Sequence, residues 1–300
     1  MNNYLNSIDE IIHRAKACPK QRLVVAVAQD PYVLDAVKLA FETLTLNVTL
    51  IGDEQEIREL LLESKVFHPY EIMDIKDKAQ ACIEAAKLVH SGYAHILMKG
   101  LVDTSILLKA VLDKTHGLKT EKRLSHVSLI ENSHYPKLFM ISDAAMNMYP
   151  DVEIKKDIIL NGVDVLHRLG IMKPNVGILA AIEKENPKMP ATIDAILLKK
   201  MNEDGIIANC IVDGPFALDN ALSKEAAVHK GVTSPIAGDV DFLLVPTIDA
   251  GNILYKSLMF LSNSKSASVV YGASAPIVVT SRADGIMTKY ASIALAKLLV

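Results

Sequence analysis

The stretch Pro276-Ile-Val-Val-Thr-Ser281-Arg282-Ala-Asp284-Gly285 sets a hydroxyl, a guanidinium and a carboxylate directly after an apolar, β-prone run. An apolar segment of helical character follows, from Ile286 to Val300. The order reads as a buried strand, a polar turn and a helix. The first turn of such a helix offers free N–H groups to an anion. An Arg at that point adds a planar fork of donors matched to phosphate or carboxylate. In open α/β sheets the ligand crevice lies outside the carboxyl ends of the strands, which is where this turn falls. The expected chemistry is oxyanion binding, phosphate above all.

Three further strand ends carry polar clusters: Lys99-Gly100, Asp143 with Asn147, and Gly251-Asn252 with Lys256. At equivalent ends of parallel strands they would converge on one crevice. Each also has an ordinary structural reading. Lys99-Gly100 fits a helix-start turn with an exposed amine, Asp143 fits a turn cap, and Asn252 after Gly251 fits a tight loop. Asp284 stands at the natural N-cap of the last helix. Arg282, between a buried strand and an apolar helix, has no comparable structural excuse. His126, in Leu124-Ser125-His126-Val127, reads as a hydrogen-bonded structural histidine, and Met140, Met146 and Met148 as adaptable core or pocket lining.

The elements that must position these groups alternate between strand and helix. Arg22–Ala28 reads as a strand, with Asp30 as N-cap and Pro31 at the first position of the next helix. That helix turns Val33, Val37, Leu39, Ala40 and Leu44 inward. Strands are expected at 47–51, around Ile75, at 95–98 and at 268–271, and helices at 78–90 and 104–112. The runs 127–131 and 138–142, parted by Asn132-Ser-His-Tyr-Pro136, form a hairpin. Beyond Pro150 the rhythm restarts: a helix over 152–169, a strand over 176–182, a helix over 190–202, and strands at 206–212 and 242–245. Alternation at this spacing predicts βαβ units and mostly parallel sheets, with a domain boundary at Pro150.

Composition bounds the rest. The chain has 300 residues, half of them hydrophobic, no Trp, and a net charge of −3. That balance argues against a dedicated nucleic-acid binder. Residues 251–300 nevertheless hold five cations against Asp284 alone, a net of +4, which leaves −7 for the first 250. A local anion site is the expected meaning. Cys18, Cys82 and Cys210 are few and widely spaced, so neither disulfides nor a zinc site is expected and a reducing cytoplasm is. The polar stretch Met1–Lys20 lacks a signal-peptide core, and no apolar run reaches membrane-spanning length. No GxxxxGK[ST], GxGxxG or GxSxG occurs, and no two Asp residues lie four apart. P-loop, dinucleotide and nucleophile-elbow chemistries, and a helical carboxylate metal pair, are therefore disfavoured.

Several segments, in order along the chain, resemble the phosphate acetyl/butyryltransferase family, its butyryl-type branch in particular. They include VAVAQD at 25–30, MKGLVDT at 98–104, LSHV at 124–127 and ENPKMPATIDA at 185–195. Further on come VDGPFALDNALSKEAA at 212–227, HKGVTSPIAGDVD at 229–241, GNILYK at 251–256 and GASAPIVVTSRAD at 272–284. The resemblance implies a two-domain fold like isocitrate and isopropylmalate dehydrogenases, mostly parallel sheets with a cleft between domains. Residues 1–149 with 274–300 would form one domain and 150–273 a second, dimerising one. It also implies reversible transfer of a short-chain acyl group, butanoyl first, from acyl-CoA to inorganic phosphate, with no covalent intermediate. Ser281, Arg282 and Asp284 would be catalytic. Lys99, Gly100, Ser125, His126, Asp143, Asn147, Asn252 and Lys256 would bind substrates, with Lys256 and Lys119 as charge-based candidates for CoA. No metal and no permanently bound cofactor is implied; the partners would be acyl-CoA, phosphate and a second copy of the chain. In acetyl-type relatives a carboxylate lies several residues beyond the Ser-Arg pair, where this chain has Ile286, Met287, Thr288 and Lys289. Asp284 or, in reserve, Asp143 must then serve as base. The other readings are an acetyl-specific enzyme, a nicotinamide dehydrogenase on the same fold, and an acyl-CoA-binding protein without turnover.

Overall fold

A computed structural model describes residues 5–300. The first four residues of the polar stretch and of the expected first domain lie outside the described residues. In chain order the elements begin α1 (Ile8–Lys16), β1 (Gln21–Ala26), α2 (Pro31–Thr43), β2 (Leu46–Gly52), α3 (Glu54–Glu63), β3 (Glu71–Asp74), α4 (Lys78–His90), β4 (Ile96–Lys99) and α5 (Thr104–Val111). Next come β5 (Ser125–Glu131), β6 (Phe139–Ser142), α6 (Val152–Arg168), β7 (Asn175–Leu179), α7 (Pro190–Glu203), β8 (Ile211–Phe216), α8 (Leu218–Leu222), α9 (Lys224–His229), β9 (Phe242–Leu244) and α10 (Ile248–Leu261). Last are β10 (Lys265–Tyr271), β11 (Ile277–Val278) and α11 (Ile286–Leu298). Among the described residues no helix is long and apolar enough to cross a membrane.

The chain packs as two compact units. One comprises Asp9–Lys122 with Ala267–Val300; the other comprises Arg123–Ser266, joined by the described residues up to Ile8. These bounds differ from a division at Pro150 and Ala273. The β5–β6 hairpin precedes Pro150, yet β6 pairs in parallel with β9, Met140 against Phe242, so the hairpin packs with the chain that follows it.

In the Asp9–Lys122/Ala267–Val300 unit the strands run β3-β2-β1-β4-β11-β10, parallel except that β11 opposes β10. The chain steps from β1 outward to β2 and β3, then crosses back to lay β4 on the other side of β1. A topological switch point therefore lies between β1 and β4, the place where such sheets open a crevice at their carboxyl ends. The strands are continuous apolar runs because helices cover them; Leu23 to Ala26 and Ile96 to Met98 are fully buried. Asp30 caps α2 by accepting from the Val33 N–H, with Pro31 at the first helical position. Val33, Val37, Ala40 and Leu44 face inward as expected, joined by Leu34 and Ala36, while Leu39 is only half-buried. The expected strand around Ile75 ends one residue earlier, at Asp74.

In the Arg123–Ser266 unit the order is β5-β6-β9-β7-β8, parallel apart from the β5–β6 hairpin. Phe139, Ile141, Phe216 and Leu243 centre its core. The buried Lys137 ammonium lies 2.5 Å from Asp241 and 2.8 Å from Asp239, and Asp241 also accepts from the Asn175 N–H, which ties hairpin, β9 and β7 together. Two expectations are corrected here. The strand expected at 206–212 begins only at Ile211 and runs on through Asp213-Gly214-Pro215 to Phe216. Gly251-Asn252, expected at a strand end in a tight loop, lies inside α10, whose N-cap Thr247 accepts from the Ala250 N–H.

Candidate active site

At the switch point of the first unit β1 gives way to Val27, a β-branched residue held at a φ of 59°. Positive φ at such a side chain is strained and is characteristic of places where a surrounding site enforces it. The Gly100 N–H donates to Ala26 O at 2.9 Å and the Leu101 N–H to Val27 O at 2.7 Å. A Cβ on Gly100 would stand 2.0 Å from the Val27 carbonyl oxygen, so only glycine lets the two strand ends approach this closely. Immediately before it, Lys99 is buried, 6% exposed, contrary to the exposed-amine reading. Its ammonium donates to the carbonyls of Gly100 (3.2 Å) and Val102 (3.0 Å), closing the turn into α5.

β11 runs parallel to β4, Ile277 beside Leu97 and Val278 beside Met98, so the chain emerges from it at the same end of the sheet as Lys99. There it makes the Ser281–Asp284 turn. The Ser281 N–H donates to Asp284 Oδ2 at 2.7 Å, the Ala283 N–H to Ser281 Oγ at 3.3 Å, and the Asp284 N–H to Ser281 O at 3.1 Å. Asp284 thus braces the turn. The N-cap of α11 is Gly285, without a side-chain cap bond, which corrects the reading of Asp284 as the helix cap. The first N–H groups of α11 therefore keep no side-chain acceptor at that cap. Arg282 points outward, 65% exposed, and its Nη2 lies 3.1 Å from Oδ1 of Asp103, the N-cap residue of α5.

Beneath the turn sits Lys289, 2% exposed. Its ammonium donates to Ser281 O at 2.9 Å and Asp284 O at 2.8 Å. Burial holds it below the ordinary lysine pKa, opposed by the charges of Asp284 and Asp30. Lys99 is lowered too: by burial first, then by the positive charges of Arg282 and Lys289, against Asp30 and Asp103. Lys99, at the end of β4, thus feels one cation from the turn and one from α11 around the same strand end. Repulsion of this kind on a buried ammonium is relieved by an anion. Asp30, Asp103 and Lys289 were not among the expected site residues. Lys289 carried a signal: it is, with Lys297, one of two cations in a largely apolar terminal helix.

The other unit gathers its own set. Ser125 is fully buried and its Oγ accepts from Asn161 Nδ2 at 2.9 Å, an amide that also donates to Arg123 O at 2.6 Å. His126 is buried; its carbonyl accepts from Ser142 Oγ at 2.7 Å, and its Nδ1 lies 3.5 Å from Ser128 Oγ. Both residues face packing partners. After β6, Asp143 Oδ1 accepts from the N–H groups of Ala145 and Met146, each at 2.9 Å, and Oδ2 from Asn147 Nδ2 at 2.6 Å. Asn147 also donates to Leu124 O, and Asn252 Nδ2 reaches Ala144 O at 3.3 Å. Asp143, Asn147 and Asn252 therefore meet around one turn. Gly251 is required there, since a Cβ would come within 2.7 Å of Val245 and 3.0 Å of Asp143 O. Lys256, one helical turn beyond Asn252, is exposed, as is Lys119 of the other unit.

Residues 75–297 match the family described as Phosphate acetyl/butaryl transferase. The chain is 47% identical over 293 residues to the phosphate butyryltransferase of Clostridium beijerinckii, covering 97% of each chain. Among solved structures it is similar to a branched-chain phosphotransacylase from Enterococcus faecalis, with a TM-score of 0.83, 33% identity and coverage of 93% of this chain and 99% of that one. A weaker likeness, in fold alone, joins it to the 4-hydroxythreonine-4-phosphate dehydrogenase of Klebsiella pneumoniae, with a TM-score of 0.53, 12% identity and coverage of 92% and 98%. The fold is thus dehydrogenase-like, and the chain belongs to the phosphate acetyl/butyryltransferase family of acyltransferases.

Proposed function

We propose that the chain transfers a short-chain acyl group, butanoyl first, between CoA and inorganic phosphate, and that phosphate is held at the Ser281–Asp284 turn. The carrying observation is the convergence of Lys99, Arg282 and Lys289 at the carboxyl ends of the parallel strands β4 and β11, where Lys99 feels the charge of both other cations. Arg282 exchanges its exposed Asp103 partner for the phosphate and grips it in bidentate fashion. The first N–H groups of α11 supply further donors. A phosphate oxygen then attacks the thioester carbonyl. The C–S bond breaks, the thiolate leaves on CoA, and acyl phosphate is formed. The dianion is already nucleophilic, so positioning supplies much of the acceleration and no covalent enzyme intermediate is needed. Ser281 Oγ donates to the developing oxyanion or the departing sulfur, a contribution of about 2.7–4 kcal/mol when such a donor is removed.

In the reverse direction a carboxylate takes the CoA thiol proton. Asp143 already receives three hydrogen bonds on its two oxygens, whereas Asp284 uses one oxygen on Ser281. This favours Asp284 as base. Lys99 and Gly100 shape the phosphate side. Asp143, Asn147, Asn252 and Lys256 serve acyl-CoA, with Ser125 and His126 supporting their turn. The reading includes no permanently bound cofactor, no metal, no nucleic-acid or membrane partner, a homodimer formed through the 150–273 region, and work in the cytoplasm. The test is release of CoA thiol from acetyl-, butanoyl- and isobutanoyl-CoA, with and without phosphate. Phosphate-dependent release, fastest with butanoyl-CoA, supports the reading. Release that ignores phosphate, or none with any of the three, refutes it, and a maximum at acetyl- or isobutanoyl-CoA reassigns the acyl group.

A further inference from the structure

Lys289 is one of two buried lysines in α11, and the one that lies beneath the Ser281–Asp284 turn. Its ammonium is drawn out of water into an apolar helix face, and its hydrogen bonds run to two main-chain oxygens, Ser281 O and Asp284 O. Those oxygens belong to the first and last residues of the turn that presents Ser281 and Arg282. The ammonium therefore closes a ring: Ser281 O, Lys289 Nζ and Asp284 O on one side, and the Ser281 N–H to Asp284 carboxylate bond on the other. With both ends of the turn pinned, the chain between them has little freedom, and the N–H groups that follow at Gly285 and Ile286 are held in one orientation. A hydrocarbon side chain could fill the same space. It could not pin the carbonyls, nor would it carry charge.

The charged groups facing Lys289 come from every neighbouring element: Asp30 ahead of α2, Lys99 at the end of β4, and Asp284 in the turn itself, with Asp103 and Arg282 acting on Lys99 in turn. Buried charge is costly unless it is compensated. Here three carboxylates, Asp30, Asp103 and Asp284, act on two buried lysines and Arg282, and a bound dianion would take the place of the exposed Asp103 on the guanidinium while adding negative charge beside the two lysines.

We infer that Lys289 is a positioning residue for phosphate: it fixes the Ser281–Asp284 turn in its anion-receiving form, and its ammonium is part of the charge that retains the dianion. The inference rests on the reading of the turn as the phosphate site. It separates binding of phosphate from binding of acyl-CoA, which a purely structural role would not do.

Lys289→Met and Lys289→Arg, assayed for phosphate-dependent CoA release with both substrates varied, test it. Charge-assisted hydrogen bonds of this kind predict that Lys289→Met raises the phosphate KM at least about tenfold, with the acyl-CoA KM within about twofold of wild type. Lys289→Arg keeps the charge and recovers part of the loss. In wild type the phosphate KM rises with pH as Lys289 gives up its proton, beginning below the ordinary lysine value of 10.5, and the Met variant lacks that limb. A folded Met variant with an unchanged phosphate KM overturns the inference, as does equal loss of affinity for both substrates. If neither variant folds, the wild-type pH profile decides, a flat phosphate KM up to about pH 10 being the overturning result. Absence of phosphate-dependent turnover in wild type would instead sink the functional reading itself.

Discussion

Arg282 offers a sharp separation of stability from activity. Among the described residues its ion pair is with Asp103, and the two side chains are 65% and 73% exposed. Exposed pairs of this kind contribute about 0.2–1 kcal/mol. Removing the guanidinium also relieves the repulsion that Lys99 feels from it. Arg282→Ala should therefore lower the unfolding free energy by no more than about 1 kcal/mol, read as the shift in a urea transition followed by circular dichroism. The activity ledger is different. Loss of a fixed donor to charge that develops in the transition state costs about 2.7–4 kcal/mol, a fall of roughly 10² to 10³ in turnover. Arg282→Lys keeps a charge but not the planar fork and should fall between the two. Asp103→Asn breaks the same ion pair without removing the guanidinium, so it should match the Ala variant in stability and yet hold or improve the phosphate KM. The reasoning is refuted if Arg282→Ala retains phosphate-dependent kcat/KM within about threefold, or if Asp103→Asn loses activity in parallel with it.

Further outcomes follow from the packing. Gly100→Ala drives a Cβ to 2.0 Å from Val27 O, main chain that has no room to move, and should cost about 1–3 kcal/mol or more in unfolding free energy together with most activity. Asn161→Ala strips the hydrogen bonds to Arg123 O and Ser125 Oγ and should destabilise by about 1–3 kcal/mol while leaving the phosphate KM of the folded fraction unchanged. Lys99 binds its proton less tightly folded than unfolded, so between its lowered folded pKa and 10.5 the unfolded chain holds the extra proton and stability rises with pH. Lys99→Met should lose that rise, so the gap in urea midpoint between wild type and variant widens in favour of wild type as the pH climbs toward 10.5.

The strand and helix pattern was readable wherever an apolar run met a residue with one strong local preference. Asp30-Pro31 and Lys78–His90 fell where periodicity and capping put them. Local pattern misled where a side chain or a distant backbone took over. Ile206 to Cys210 look strand-like, yet the N–H groups of Ile206 and Ile207 turn back to Met201 O, and Asn202 Nδ2 serves the carbonyls of Ile207 and Cys210. Those bonds make a turn out of an apolar run. Gly251-Asn252 suggested a loop because glycine weakens helices, but the close approach of α10 to Asp143 and Val245 requires it. The anion turn was visible because its residues are contiguous. Its partners were not: Asp103 is 179 residues from Arg282, and nothing local marks the pair. Lys289 escaped attention because lysines are normally exposed, and its burial is tolerable through two turn carbonyls and the charges of Asp284 and Asp30, which no local pattern shows.

The discontinuous unit has a consequence for how the polypeptide matures. β4 waits for β11 as its neighbour, and between Lys122 and Ala267 the ribosome must first deliver all of Arg123–Ser266. At about 5–20 residues per second those 144 residues take roughly 7 to 30 s. For that interval β4 has an unpaired edge, a template for association with other nascent chains. The intervening unit, nearly continuous in sequence, can condense meanwhile. Lys99 and Gly100 are therefore synthesised early but acquire Arg282 and Lys289 only at the end, so a polypeptide interrupted before residue 281 is both an aggregation risk and chemically blank.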